Sequence, residues 1–69
     1  LIAGSKMDGK TLIELDIRAK YGANIVAVKR GEDIIISPQA EEKLRHDDIL
    51  IVIGADEDIN RLERKFMDD

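Results

Sequence analysis

The chain has no cysteine. That removes disulfides, zinc–thiolate sites and thiol nucleophiles, and it agrees with a reducing compartment. Aromatic residues are nearly missing as well, Tyr21 and Phe66 being the whole set, so the stacking platforms of single-strand nucleic-acid binders are not available. The single histidine, His46, cannot build a conventional metal cluster alone, and within Arg45-His46-Asp47-Asp48 it reads as a solvated loop side chain. Gly31 and Gly54 stand isolated, with no glycine-rich phosphate loop of the dinucleotide or Walker type. Long apolar runs are lacking too. Ile34 to Ile36 and Ile49 to Ile53 fall far short of a bilayer span, and no basic-then-apolar signal segment is seen at the start. The expectation is a soluble, cytoplasmic domain.

What is present points to a small folded unit. The 69 residues are 43% hydrophobic and 38% charged, and the apolar residues fall in short periodic runs separated by Gly, Asp and Ser. Eleven Lys and Arg oppose fifteen Asp and Glu. Neither sign forms a block that would track a phosphate backbone, so no nucleic-acid partner is expected. A chain of this size makes one domain, residues 1–69, and buries too little surface to be more than marginal alone, so self-association is expected. Leu1-Ile2-Ala3 reads like the end of a strand entered midway, as in a C-terminal fragment of a longer protein.

The pattern predicts six elements. Thr11 and Glu14 are spaced as a capping box that opens a first helix. Leu12, Leu15 and Ala19, with Ile13, Ile17 and Tyr21, give that helix a broad apolar face opposite Glu14, Arg18 and Lys20, and Gly22 ends it. Asn24 to Arg30 alternates as a half-buried strand, with Ile25, Ala27 and Lys29 on one side and Asn24, Val26, Val28 and Arg30 on the other. Gly31-Glu32-Asp33 turns it into a hairpin partner, Asp33 to Ser37, which Pro38 stops. Ala40 to Leu44 is expected to make one or two helical turns. The apolar Ile49 to Ile53 is expected to be the central strand of the sheet. Asp56, Glu57 and Asp58 crowd the start of a last helix with Ile59, Leu62 and Phe66 as its stripe. The fold class is α+β: a small antiparallel or mixed sheet with a hairpin and two helices on one face, in the order strand-helix-strand-strand-strand-helix.

No catalytic set emerges from these residues. Asp56, Glu57 and Asp58 would fan out over different faces of a helix and serve it as N-terminal charges, not as a cation site. One segment suggests binding. Asn24, Lys29 and Arg30 at the strand end, and the apolar Ile34-Ile35-Ile36 run followed by Pro38, set a forked cationic donor beside an apolar wall that can cover a purine. A hairpin whose apolar side is core and whose charges are merely solvated accounts for the same residues.

Gly9-Lys10-Thr11-Leu12 with Glu14-Leu15, Asn24 to Arg30, Ile36-Ser37-Pro38, and Asp47-Asp48 followed by Ile49 to Gly54 resemble the successive blocks of the TrkA-C domain, the C-terminal domain of regulators of potassium conductance. Within that family the chain is most similar to Ktr-type gating subunits of potassium-uptake systems. The resemblance implies a regulatory domain that pairs as a two-fold homodimer. It also implies that cyclic di-AMP, a small-molecule second messenger, binds between the two copies and turns potassium uptake down. The partner would be a membrane potassium-transporter subunit, reached through the full-length protein and placing it at the membrane's cytoplasmic side. Nucleotides such as ATP or NAD would be sensed by a separate upstream domain. On the family pattern Asn24 and Ile25 meet base or ribose, Arg30 pairs with phosphate, and Ile35, Ile36 and Pro38 line the apolar wall. No cofactor and no enzymatic activity are implied.

Two other readings compete. The chain could be a ligand-free structural dimerisation module, or the same module serving a cation/proton antiporter or an anion transporter.

Overall fold

The computed structural model describes residues 1–66 of the chain. Three antiparallel strands, β1 (Asn24–Arg30), β2 (Asp33–Ile36) and β3 (Ile49–Ile53), form a sheet in the order β2-β1-β3. The central strand is therefore β1 and not Ile49 to Ile53. The outer edge of β3 is occupied by the first residues of the chain, through an Ile2–Ile49 bridge, with the Leu50 amide donating to the Leu1 carbonyl at 2.7 Å and the Ala3 amide to the Asp48 carbonyl at 2.8 Å. The expected first strand thus exists only as this bridge.

The helices lie on one face of the sheet, and the fold is α+β. The first helix comes in two pieces, α1 (Leu12–Leu15) and α2 (Ile17–Tyr21), because Asp16 between them adopts the left-handed conformation with φ 48° and ψ 44°. Asp is among the few side chains that tolerate that region. The Thr11–Glu14 capping box forms in both directions. The Glu14 carboxyl is held below its ordinary value by the hydrogen bond from the Thr11 amide, then by that from the Thr11 hydroxyl. Gly22 ends α2 at φ 75°. The last helix, α3 (Asp56–Phe66), buries Leu62 and Phe66 and packs the Phe66 ring edge-on against Tyr21 with centroids 5.9 Å apart.

Val28 of β1 lies opposite both Ile35 of β2 and Leu50 of β3, and these side chains face the helices. Met7, Leu15, Ile17, Leu44, Leu62 and Phe66 complete the core around them. The alternation expected along β1 changes at its start. A bulge between Ile25 and Ala27 puts Ile25 opposite Val52 on the core side, whereas Asn24 pairs with Ile53 on the other side. The segment expected to be helical, Ala40 to Leu44, is not a helix. It runs as a turn and an extended stretch along the start of α1, with the Leu12 amide donating to the Glu42 carbonyl at 3.2 Å and the Leu44 amide to the Lys10 carbonyl at 2.8 Å. Leu44 thereby reaches the core fully buried. Among the described residues no helix is long and apolar enough to cross a membrane.

Candidate functional site

A cavity of about 270 Å3 opens where the α1–α2 junction meets the start of β1. Its apolar wall comes from Leu12, Ile17, Ala23 and Ile25 together with Pro38 and Ala40, and its polar rim from Asp16, Arg18 and Asn24. The local sequence explains how these residues meet. The capping box starts α1 at Leu12, the left-handed Asp16 re-aims the chain so that Ile17 turns into the core, and Arg18 is left exposed at the rim. Gly22 then reverses the chain, and Asn24 and Ile25 follow within three residues. The far wall is tied to the near one by the Ile13 amide, which donates to the Ala40 carbonyl at 3.1 Å.

The rim is rich in unused hydrogen-bonding capacity. The Arg18 guanidinium, the Asp16 carboxylate and the Asn24 carboxamide make no side-chain hydrogen bond or ion pair among the described residues. A guanidinium is a planar fork suited to phosphate, a carboxamide both donates and accepts, and the apolar wall offers a surface for a flat ring. No group of His, Cys, Asp and Glu among the described residues is placed to hold a metal ion.

The residues singled out from sequence divide between two places. Asn24, Ile25 and Pro38 lie in this cavity. Ile35 and Ile36, again with Pro38, border a second, more open depression of about 570 Å3 beside Gln39, Glu41, Glu42 and Lys43. Ile36 is 76% exposed on the helix-free face of the sheet, whereas Ile35 faces the core.

Arg30 lines neither cavity. Its Nε and Nη2 donate to the two carboxylate oxygens of Asp48 at 3.0 and 2.8 Å, Nη2 also donates to the Lys43 carbonyl at 3.0 Å, and Nη1 reaches Glu42 at 3.4 Å. The Asp48 side chain is 2% exposed. Burial pushes its carboxyl up, but the hydrogen bonds from Arg30 and the Arg45 amide, with the Arg30 charge, outweigh this and hold it below its ordinary value. The Arg30 guanidinium is raised, chiefly by its hydrogen bonds to Asp48 and against its own desolvation. The donors assigned from sequence to a phosphate are thus spent inside the fold.

Sequence reasoning passed over Leu12, Asp16, Ile17, Arg18, Ala23 and Ala40. Arg18 was indistinguishable from any other charge on a solvated helix face. The signal that existed was two competing apolar stripes, Leu12/Leu15/Ala19 and Ile13/Ile17/Tyr21, too many for one short helix. In the structure Ile13 is 61% exposed and only the pieces on either side of Asp16 bury their own residues.

The family model of the TrkA-C domain matches residues 1–67. The chain belongs to the TrkA-C domain family. It is 54% identical over 67 residues to the Ktr system potassium uptake protein C of Bacillus subtilis (strain 168), covering 97% of this chain and 30% of that protein. Among solved structures it is similar to the RCK C domain of the potassium transport protein KtrA in complex with cyclic diadenosine monophosphate. There the TM-score is 0.93 and the identity 53%, over 96% of this chain and 78% of that one. It is also similar to the RCK C domain dimer of S. agalactiae BusR in complex with cyclic di-AMP, with a TM-score of 0.87 and 26% identity over 97% and 91% of the two chains. The chain spans about 30% of the length of the B. subtilis relative that it matches.

Proposed function

We propose that this TrkA-C domain is the regulatory and dimerisation domain of a cytosolic gating subunit of a potassium transporter. In this reading it binds cyclic di-AMP in a site shared by two copies, and it acts by binding and not by catalysis. The observation that carries the reading is the cavity beside α1 and α2, where Arg18 and Asn24, whose side chains are unpaired among the described residues, stand next to a wall of Leu12, Ile17, Ile25 and Pro38. Arg18 replaces Arg30 as the phosphate donor, Asn24 meets base or ribose, and the wall covers adenine. The similarity at 53% identity to a domain solved with this ligand supports the choice of ligand.

The volume supports sharing between copies. At about 270 Å3 the cavity falls below the range of roughly 300–1,000 Å3 of complete ligand sites. Two copies related by a two-fold axis would double it and offer one arginine to each of the two phosphates of a symmetric ligand. A ligand that binds only the correctly paired state stabilises that state by mass action, which is the form a gating signal takes.

Thermal unfolding of the chain with cyclic di-AMP, cyclic di-GMP, ATP and AMP tests the reading. The midpoint rises with cyclic di-AMP alone. No shift with any nucleotide, from a chain shown to be folded and dimeric, would favour the ligand-free dimerisation module instead.

A further inference from the structure

The two outer edges of the sheet differ. On β3 the outward Leu50 amide is taken by the Leu1 carbonyl, and the Ala3 amide donates to the Asp48 carbonyl, so the first residues of the chain cover that edge. No backbone hydrogen bond from the described residues reaches the outer edge of β2. Its free groups follow from the register. The Ser37 amide donates to the Val26 carbonyl at 2.9 Å, and bonded and non-bonded pairs alternate along an antiparallel ladder. Ile35 opposite Val28 and Asp33 opposite Arg30 therefore spend their backbone groups on β1, whereas the N–H and C=O groups of Ile34 and Ile36 point outward, unpaired. No proline, lysine or bulge interrupts Asp33–Ile36 to blunt this edge. At its far end it runs into the depression of about 570 Å3 beside Ser37, Pro38, Gln39 and Glu41.

The charge beside the edge is largely of one sign. Glu32 and Asp33 flank its start and Glu41 its end, all exposed and without a side-chain hydrogen bond or ion pair among the described residues. Lys43 is the one cation lining the depression, and its charge acts on Glu14. Lys29 and Arg30 stand one strand further in, Arg30 being held by Asp48. We propose that the β2 edge is a docking site for an extended basic segment of another protein, which adds as a further strand with Lys or Arg at its ends. In such a contact main-chain hydrogen bonds supply the affinity and alternate side chains the selectivity. About five residues, at roughly 3.3 Å each, reach from Asp33 to Ser37, with β-branched side chains opposite Ile34 and Ile36 and the cations near Asp33 and Glu41. A second copy is disfavoured here. It would bring the same acids to the contact, and antiparallel pairing of Ile34 with Ile36 would set Pro38, which has no amide proton, opposite Glu32. The inference does not depend on the nucleotide reading, since the two cavities share only Pro38.

Fluorescence anisotropy of the chain with the labelled peptides Lys-Val-Thr-Val-Lys and Glu-Val-Thr-Val-Glu tests the proposal. The basic peptide binds saturably, and the acidic one at least about tenfold more weakly. Methylating both valine amides of the basic peptide weakens it by at least about tenfold, because those amides meet the outward carbonyls of Ile34 and Ile36. Ile34→Pro removes an outward amide without taking a bond from β1, and it weakens the peptide while far-UV circular dichroism stays that of the wild type. The double variant Asp33→Lys with Glu41→Lys changes only exposed side chains and reverses the preference between the two peptides, a readout that stands even where Ile34→Pro fails to fold. No binding of either peptide up to millimolar concentration overturns the proposal. Binding that survives amide methylation overturns it as well, since that is charge attraction without strand addition, and so does a preference unchanged in the double variant.

Discussion

Arg30 holds both carboxylate oxygens of Asp48, from Nε at 3.0 Å and Nη2 at 2.8 Å, and so ties the end of β1 to the segment that leads into β3. With the Lys43 carbonyl and Glu42 also in its reach, this one side chain anchors the stretch that follows the cavity's far wall. The arrangement is structural, and its removal has a defined consequence.

Arg30→Ala leaves Asp48 buried without its guanidinium. Breaking a buried pair in this way costs about 3 kcal/mol, against a total of roughly 4–10 kcal/mol for a chain of this length. Urea denaturation reads the loss. On the proposed reading, saturating cyclic di-AMP is expected to raise the midpoint of Arg30→Ala by as much as that of the wild type. A variant as stable as the wild type but unable to bind would return Arg30 to the ligand site.

Acid should weaken the fold through the same pair. The folded-state carboxyl of Asp48 lies below its ordinary value of 3.8, so its contribution is present above that value and is lost as pH falls through the lower folded one. Glu14, also lowered, acts in the same direction. Stability measured by denaturant titration is level in this respect above about pH 5 and falls below about pH 4. Asp48→Asn is less stable at neutral pH and shows a shallower acid limb, and an unchanged slope would contradict the assignment.

Gly22→Ala tests the turn that brings Asn24 and Ile25 to the cavity. A Cβ there must accept φ 75° and would stand 2.9 Å from Oδ2 of Asp58, whose other oxygen, Oδ1, accepts from Arg61 Nη2 at 2.9 Å. The left-handed conformation alone costs about 1–2 kcal/mol. A drop of that size in thermal or urea stability is expected, and no drop would mean that the turn relaxes freely.

Thr11→Ala removes the hydroxyl that accepts from the Glu14 amide at 3.2 Å. The expected cost is about 1 kcal/mol, with most of it recovered in Thr11→Ser. Denaturant titration of the pair of variants distinguishes loss of the cap from loss of the side chain's bulk.

The capping box, the Gly22 stop, the hairpin and the apolar β3 were readable from sequence because each rests on local chemistry: a hydroxyl and a carboxylate three residues apart, a glycine where φ is positive, a turn between β-branched runs. What escaped was set by tertiary placement. Ile49 to Ile53 is apolar on both sides in any location, so its composition could not tell a central strand from one with an open face, and β1 took the centre. The bulge at Val26 exchanged the side on which Ile25 points, which no alternation count could show. The cavity was half legible. Asn24, Ile25 and Pro38 flank a strand start and a strand end, and the fold brings those together. Arg30 and Arg18 are chemically equivalent in the sequence, and only the buried Asp48 beside one of them decides which guanidinium is free.

Calorimetric titration of cyclic di-AMP into the chain and into Arg18→Ala tests the central claim most directly. The account predicts one ligand per two chains for the wild type. For Arg18→Ala it predicts binding about 10- to 100-fold weaker, as expected for lost charge-assisted hydrogen bonds, with unfolding unchanged because the Arg18 side chain makes no hydrogen bond or ion pair among the described residues. One ligand per chain, or undiminished affinity in Arg18→Ala, would contradict it.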